Sequence, residues 1–256
     1  MRPPRRRLVA GNWKMHTTVA EAVGLAESIQ AGLAALPGCE VVLLPPFTSL
    51  WAVGRRLAGD PRIQLGAQTM HAGPPGPHTG EIAAAMLVDL CTHVLLGHSE
   101  RRREFGETDE LIHRKLEAAL TAGLLPIVAV GESQAEHDAG QTAEVVADQT
   151  RAALGGCSED EAARCVMAYE PLWAIGTGRS ASVADAVGAV DAIRDVLRSR
   201  FGPVADTIRI LYGGSVDAGN ASQMFAAPAI DGALVGGASL RPADFCAIVR
   251  AAGLAG

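Results

Sequence analysis

The sequence predicts an α/β protein, a single (β/α)8 barrel over residues 1–256, on three observations. Short apolar runs recur eight times, and most are near-continuous, as in strands buried on both faces. The stretches between them are Ala-rich, with apolar residues at helical spacing. No Pro-, Gly- or Ser-rich linker breaks the series, and about 250 residues suit eight βα units in one domain.

Leu8-Val9-Ala10 reads as the first strand and ends in Asn12-Trp13-Lys14. The basic tip before it, residues 1–7, leads into no long apolar segment, because Gly11-Asn12 interrupts the run at once. It is expected to be a frayed, solvated terminus and not a signal peptide. Val19, Val23, Ala26, Ile29 and Leu33 keep the spacing of a helix face. Val41–Leu44 and Ile63–Leu65 follow as strands two and three. The Pro- and Gly-rich stretch Ala72–Pro77 is too rigid for a linker and reads as a protruding loop. Val94–Leu96 is the fourth strand and ends in Gly97-His98-Ser99-Glu100-Arg101-Arg102, the start of a short helix. Ile127–Val130 is the fifth. Cys165–Ala168 is the sixth, with Glu170 where it runs out and Pro171 forbidding its continuation. A small, apolar loop to Gly178 precedes a helix carrying Val183, Val187, Val190, Ile193 and Leu197. Ile208–Leu211 ends in Tyr212-Gly213-Gly214-Ser215, and Ala233–Val235 ends in Gly236-Gly237-Ala238-Ser239. A doubly wound open sheet is the alternative, but no strand is followed by Gly-x-Gly-x-x-Gly.

Composition narrows the function. A net charge of −6 argues against a nucleic-acid protein, which needs a basic face. No run approaches the ~18 apolar residues of a membrane helix, so no membrane partner is expected. The five cysteines are odd in number, widely spaced and without Cys-x-x-Cys, which disfavours a disulfide framework or structural zinc. The inferred compartment is reducing and cytoplasmic.

In such a barrel the chemistry sits at the C-terminal ends of the strands. Lys14, His98, Glu170 and the two Gly-Gly turns all fall there. Alone, each has a plain reading: a solvated cap, a structural imidazole, a strand-end carboxylate, a turn. Their coincidence at one rim favours a site. Small residues at Gly213-Gly214-Ser215 and Gly236-Gly237 let backbone N–H groups approach an anion, and these are the loops with which barrels bind phosphate. Gly176 could add another N–H. Lys14 supplies positive charge to an anionic ligand or a developing oxyanion. His98, at the positive end of a helix, is expected to be neutral and to donate a hydrogen bond to a carbonyl. Glu170, dried by a closing loop, would be a strong base. This set suits proton abstraction next to a carbonyl through an enediolate. No metal motif and no nicotinamide or other cofactor site is apparent.

The chain resembles the triosephosphate isomerase family in Gly11-Asn12-Trp13-Lys14-Met15, Gly97–Arg102, Phe105–Asp109, Tyr169–Gly178, Tyr212–Val216 and Asp231–Leu240, in family order along the whole chain. The resemblance implies a TIM barrel that interconverts dihydroxyacetone phosphate and D-glyceraldehyde 3-phosphate in glycolysis and gluconeogenesis. It implies Glu170 as base, His98 as electrophile, and Asn12 and Lys14 as substrate contacts, with Glu100 beside Lys14. It further implies a phosphate site from Gly176, Ser215, Gly236 and Gly237, a lid over residues 171–181, and a homodimer. In that dimer the loop 68–81, with Thr79 at its tip, inserts beside Asn12 and Lys14 of the other copy. The chain departs from the family pattern at Ala129, where Cys is usual, and at Thr69, His78 and Glu104, where Asn, Phe and an aromatic residue are usual. The first bears on stability and the other three on the interface. The competing readings are an isomerase of a four-carbon ketose phosphate and a silent phosphate-binding scaffold. The second of these would lack Lys14, His98 or Glu170.

Overall fold

The computed structural model describes residues 5–33, 38–174 and 181–255. Its strands are β1 (Arg7–Asn12), β2 (Cys39–Leu44), β3 (Ile63–Ala67), β4 (His93–Leu96), β5 (Leu125–Val130), β6 (Val166–Tyr169), β7 (Arg209–Tyr212) and β8 (Gly232–Val235). They pair in parallel, in sequence order, as a closed barrel. β8 closes on β1 with Leu8 opposite Gly232 and Ala10 opposite Leu234. Each of the eight apolar runs overlaps one strand. Closure itself requires a glycine: a Cβ on Gly232 would lie 1.8 Å from the Leu8 carbonyl oxygen, and its φ is +145°.

The near-continuous apolar runs have a direct cause. Alternate residues of a strand face opposite sides. Leu8, Ala10, Val42, Leu44, Leu95, Ile127, Ala129, Val166, Ala168, Leu211 and Leu234 form a cluster of strand residues only, which is the barrel interior. Their neighbours Val9, Val41, Leu43, Val94, Val128, Met167, Ile210 and Ala233 join helix residues such as Ile29, Leu116, Ile193 and Ile248 in the surrounding layer. The inward parity decides what reaches the rim. Two steps beyond Ala10 is Asn12, and two steps beyond Ala168 is Glu170. Both are buried, at 4% and 2% exposure.

Two expectations are corrected. The tip is not frayed as far as residue 7. Arg5 pairs with Asp231 at 2.7 Å, and the buried Arg7 guanidinium donates to the carbonyls of Ile230, Phe225 and Ala255. In the first helix, Val19–Gly32, the buried face is Ala22, Ala26 and Ile29, and Val19 is exposed. Val19 sits in the first turn, which the Thr18–Glu21 capping box holds out in solvent. The loop after β3 is paired at its base. The His71 N–H donates to the Ile82 carbonyl at 2.8 Å, so the base of the loop is pinched by a bridge between His71 and Ala83. Among the described residues, no helix is long and apolar enough to cross a membrane.

Candidate active site

A cleft of about 320 Å³ opens at the C-terminal rim. Asn12, Lys14, His98, Glu170, Ser215, Gly236 and Gly237 line it, together with Gly213 and Gly214. Sequence therefore assigned most of the wall. Gly176 and the tip of the loop after Glu170 lie outside the described residues, as does most of the segment expected as a lid. Its start is described: Leu172–Ala174 forms a single 3-10 turn.

Lys14 has a left-handed backbone, with φ +53°. Such strain costs on the order of 1–3 kcal/mol and persists only where neighbours fix it. Here the Asn12 side-chain oxygen accepts from the Lys14 N–H at 3.0 Å, and the Gln68 amide donates to the Lys14 carbonyl at 2.8 Å. The result aims the Lys14 ammonium into the cleft, 2.8 Å from a carboxylate oxygen of Glu100. Partial burial favours a neutral Glu100. The hydrogen bond and charge of Lys14 nevertheless hold its carboxyl below the usual carboxylate range. Glu100 is outside the cleft wall and acts as a partner of Lys14.

His98 caps the helix Ser99–Phe105. Its Nδ1 accepts from the Glu100 backbone N–H at 3.2 Å. An imidazole nitrogen that accepts carries no proton, so the ring is neutral and its proton is on Nε2. That Nε2 lies 3.2 Å from Glu170 Oε1. The second Glu170 oxygen accepts from the Ser99 backbone N–H at 2.9 Å. The carboxylate is thus parked on the Ser99 amide beside the imidazole, nearly dry. The glycines opposite are required by space. A Cβ on Gly213 would lie 2.8 Å from Glu170 Cγ, and one on Gly214 would lie 2.1 Å from the Tyr212 hydroxyl. On the floor of the loop, the Ser215 hydroxyl donates to the Ala174 carbonyl at 2.9 Å, tying β7's turn to the segment after Glu170.

Sequence reasoning missed Gln68, Leu234, Asp217 and Arg241. Leu234, Asp217 and Arg241 line the cleft as well, with Val216 and Ala238. Gln68 had a readable signal: it continues the inward parity of Gln64 and Gly66 in β3. Glu132 was also missed. It is fully buried and accepts from Tyr169, Trp173 and Thr142. Of the departures, Ala129 lies in the barrel interior, and Thr69 accepts from the buried Lys115 ammonium. His78 packs against His71 within the protruding loop with the rings tilted, and Glu104 pairs with Arg103 at the surface. Among the described residues, no group of three or more His, Cys, Asp and Glu side chains could hold a metal ion.

A closed parallel barrel with a neutral imidazole, a buried carboxylate and an ammonium beside glycine turns defines a barrel enzyme of the proton-transfer class. The sequence model of triosephosphate isomerase matches residues 7–252. The chain is 52% identical over 248 residues to the triosephosphate isomerase of Herpetosiphon aurantiacus, covering 96% of this chain and 99% of that one. It is 50% identical over 245 residues to that of Chloroflexus aurantiacus, covering 95% and 98%. The crystal structure of triosephosphate isomerase from Bartonella henselae superposes with a TM-score of 0.87 at 36% identity, covering 96% of this chain and 98% of that chain. The chain belongs to the triosephosphate isomerase family.

Proposed function

We infer that Glu170 and His98 carry the proton transfers of this chain's reaction, the glycolytic interconversion of dihydroxyacetone phosphate and D-glyceraldehyde 3-phosphate. The observation that carries the assignment is the neutral His98, with its Nε2–H turned into the cleft beside the buried Glu170. The substrate phosphate sits against the turns at Ser215 and Gly236-Gly237, and Gly176 completes that cradle. Lys14 and Asn12 hold the oxygens at the reacting end. Glu170 leaves the Ser99 amide and takes a proton from the carbon next to the carbonyl. The electron pair moves onto the carbonyl oxygen, giving an enediolate. His98 Nε2–H and Lys14 stabilise that oxygen, as donors do most effectively in a dry site. His98 passes the hydroxyl proton of the neighbouring oxygen to the former carbonyl oxygen, and Glu170 returns its proton to the neighbouring carbon, which completes the exchange of carbonyl and hydroxyl. Exclusion of water protects the intermediate, which can otherwise expel its phosphate. The named relatives offer no support to the four-carbon reading.

The test is a coupled isomerase assay on the chain and on Glu170→Gln. General-base catalysis is worth ~10²–10⁴ in rate, and the variant should lose at least that. A variant that keeps most of its turnover refutes the assignment.

The same reading includes a homodimer through the loop 68–81. Met15 is 95% exposed and directly follows Lys14, and Phe105 is 62% exposed at the end of the helix that begins beside His98. Apolar side chains this exposed next to a site are suited to cover by a second copy. Sedimentation should show a dimer, and a fully active monomer would contradict it. All five cysteines are free, which suits a reducing cytoplasm.

A further inference from the structure

Two cations meet the turn Gly236-Gly237. Lys14 approaches its first residue, with Nζ 3.8 Å from the place that a Gly236 Cβ would take. Arg241 approaches its second. It stands between the 3-10 turn Gly237–Leu240 and the helix Pro242–Leu254. From there its side chain folds back over the turn. Nη1 lies 3.5 Å from the Gly237 carbonyl oxygen, and Nε pairs with Asp244. The side chain is 62% exposed and lines the cleft.

The turn after β7 carries the opposite charge. Asp217 Oδ1 accepts from the Gly219 and Asn220 backbone N–H groups at 2.7 and 3.0 Å, which fixes this carboxylate two residues beyond Ser215. The Asn220 side chain donates to the Ser215 carbonyl at 2.9 Å and ties both residues into one turn. Among the described residues lining the cleft, the charged ones are therefore Lys14 and Arg241 against Glu170 and Asp217. Lys14 already shares its charge with Glu100.

We propose that Arg241 is a phosphate-binding residue that exchanges Asp244 for the substrate's phosphate dianion at the Gly237 end of the turn, and that Asp217 limits how tightly the dianion is held. This rests on the phosphate cradle assigned above to Ser215 and Gly236-Gly237.

The exchange is favourable on charge and on shape. A guanidinium presents its N–H groups in a planar fork that fits the oxygens of a phosphate in pairs. A dianion carries twice the charge of the Asp244 carboxylate, and the pair given up is exposed, where such pairs contribute little. The chain's net charge of −6 repels a dianion at long range. Salt screens that repulsion beyond about 10 Å at 0.1 M, so the charges at the mouth govern the last approach. Asp217 acts in the other direction. Its charge weakens the hold on phosphate, which favours release of a product that bears the same group.

The experiment measures KM for D-glyceraldehyde 3-phosphate and competitive inhibition by inorganic phosphate in the intact chain, Arg241→Gln, Arg241→Lys and Asp217→Asn. The last keeps the oxygen that the Gly219 and Asn220 amides need and removes only charge. Arg241→Gln should raise KM and the phosphate inhibition constant together by about three- to tenfold, with a much smaller change in kcat, as expected of one exposed charge acting on a dianion. Arg241→Lys should fall between this variant and the intact chain. Asp217→Asn should lower the phosphate inhibition constant by about threefold. Both differences should narrow from about 0.1 M to about 1 M salt, where screening reaches within ~3 Å. An Arg241→Gln variant with the intact inhibition constant, or one that loses kcat while keeping it, overturns the proposal and leaves the cradle standing. Phosphate that fails to compete in the intact chain overturns the cradle and the proposal together. Phosphorus nuclear magnetic resonance of phosphate binding to Glu170→Gln, with and without Arg241→Gln, separates the assignment of the base. Weaker binding in the double variant supports the role of Arg241 whether or not Glu170 proves to be the base, and equal binding contradicts it.

Discussion

His93 should make the barrel lose stability in mild acid. It begins β4 on the inward side, 1% exposed, with Thr92 Oγ1 at 2.9 Å from Nδ1 and no hydrogen-bond partner at Nε2. Burial, aided by the charge of Arg209 and opposed by Glu40, pushes the imidazole down from 6.5 to about 4. The unfolded chain takes up this proton as pH falls through 6.5, whereas the folded chain does so only near 4. Between those values the unfolded state holds more protons, so stability falls as pH falls. At ~1.4 kcal/mol per pH unit, moving from pH 7.5 to pH 5 should remove about 2 kcal/mol through His93 alone, and about 3 kcal/mol when the shift is complete. The assay is urea unfolding at pH 7.5, 6.0 and 5.0, for the intact chain and His93→Phe. The other histidines contribute equally to both proteins, so the difference between the two pH slopes isolates His93. Equal slopes would refute the claim that this ring is buried neutral.

Two further perturbations test the cleft. Lys14→Met removes a charge facing an anionic substrate. At about 4 Å and an effective dielectric near 20 this is worth ~4 kcal/mol, so kcat/KM should fall by about 10²–10³, with a raised KM. A variant with unchanged KM would show that Lys14 serves only Glu100. Gly214→Ala drives a Cβ to within 2.1 Å of the buried Tyr212 hydroxyl. Overpacking of this kind costs ~1–3 kcal/mol, so thermal unfolding should move down and competitive inhibition by inorganic phosphate should weaken. Wild-type stability and phosphate binding together would contradict the packing described for that turn.

What was legible in the sequence follows from range. The strands were readable because both faces of each are apolar, and interior and outer residues alternate without a polar break. Limits slipped by a residue in β6 and β7, where Tyr169 and Tyr212 extend the strands with polar-tipped but buried rings. Asn12 and Glu170 were readable because each continues an apolar inward series at the end of a strand. Residues whose meaning depends on distant partners were not. Arg5 and Arg7 looked like a solvated tip because Asp231, Ile230, Phe225 and Ala255 are more than 200 residues away. Glu132 looked like an ordinary loop carboxylate until Tyr169 and Trp173 converged on it. Gly232 gave no local turn signal, since its need arises from the Leu8 carbonyl on the strand that closes the barrel.

The central claim is that Glu170 carries a substrate proton through an enediolate. The most direct measurement is isomerisation of D-glyceraldehyde 3-phosphate in deuterium oxide, followed by nuclear magnetic resonance of the product. The carboxylate exchanges its proton with solvent while the intermediate is held, so dihydroxyacetone phosphate should form with deuterium at its C1 carbon. Glu170→Gln should lose labelling and turnover together. Turnover by the intact chain with no solvent deuterium entering either compound, or labelling that survives in Glu170→Gln at the intact rate, would contradict the account.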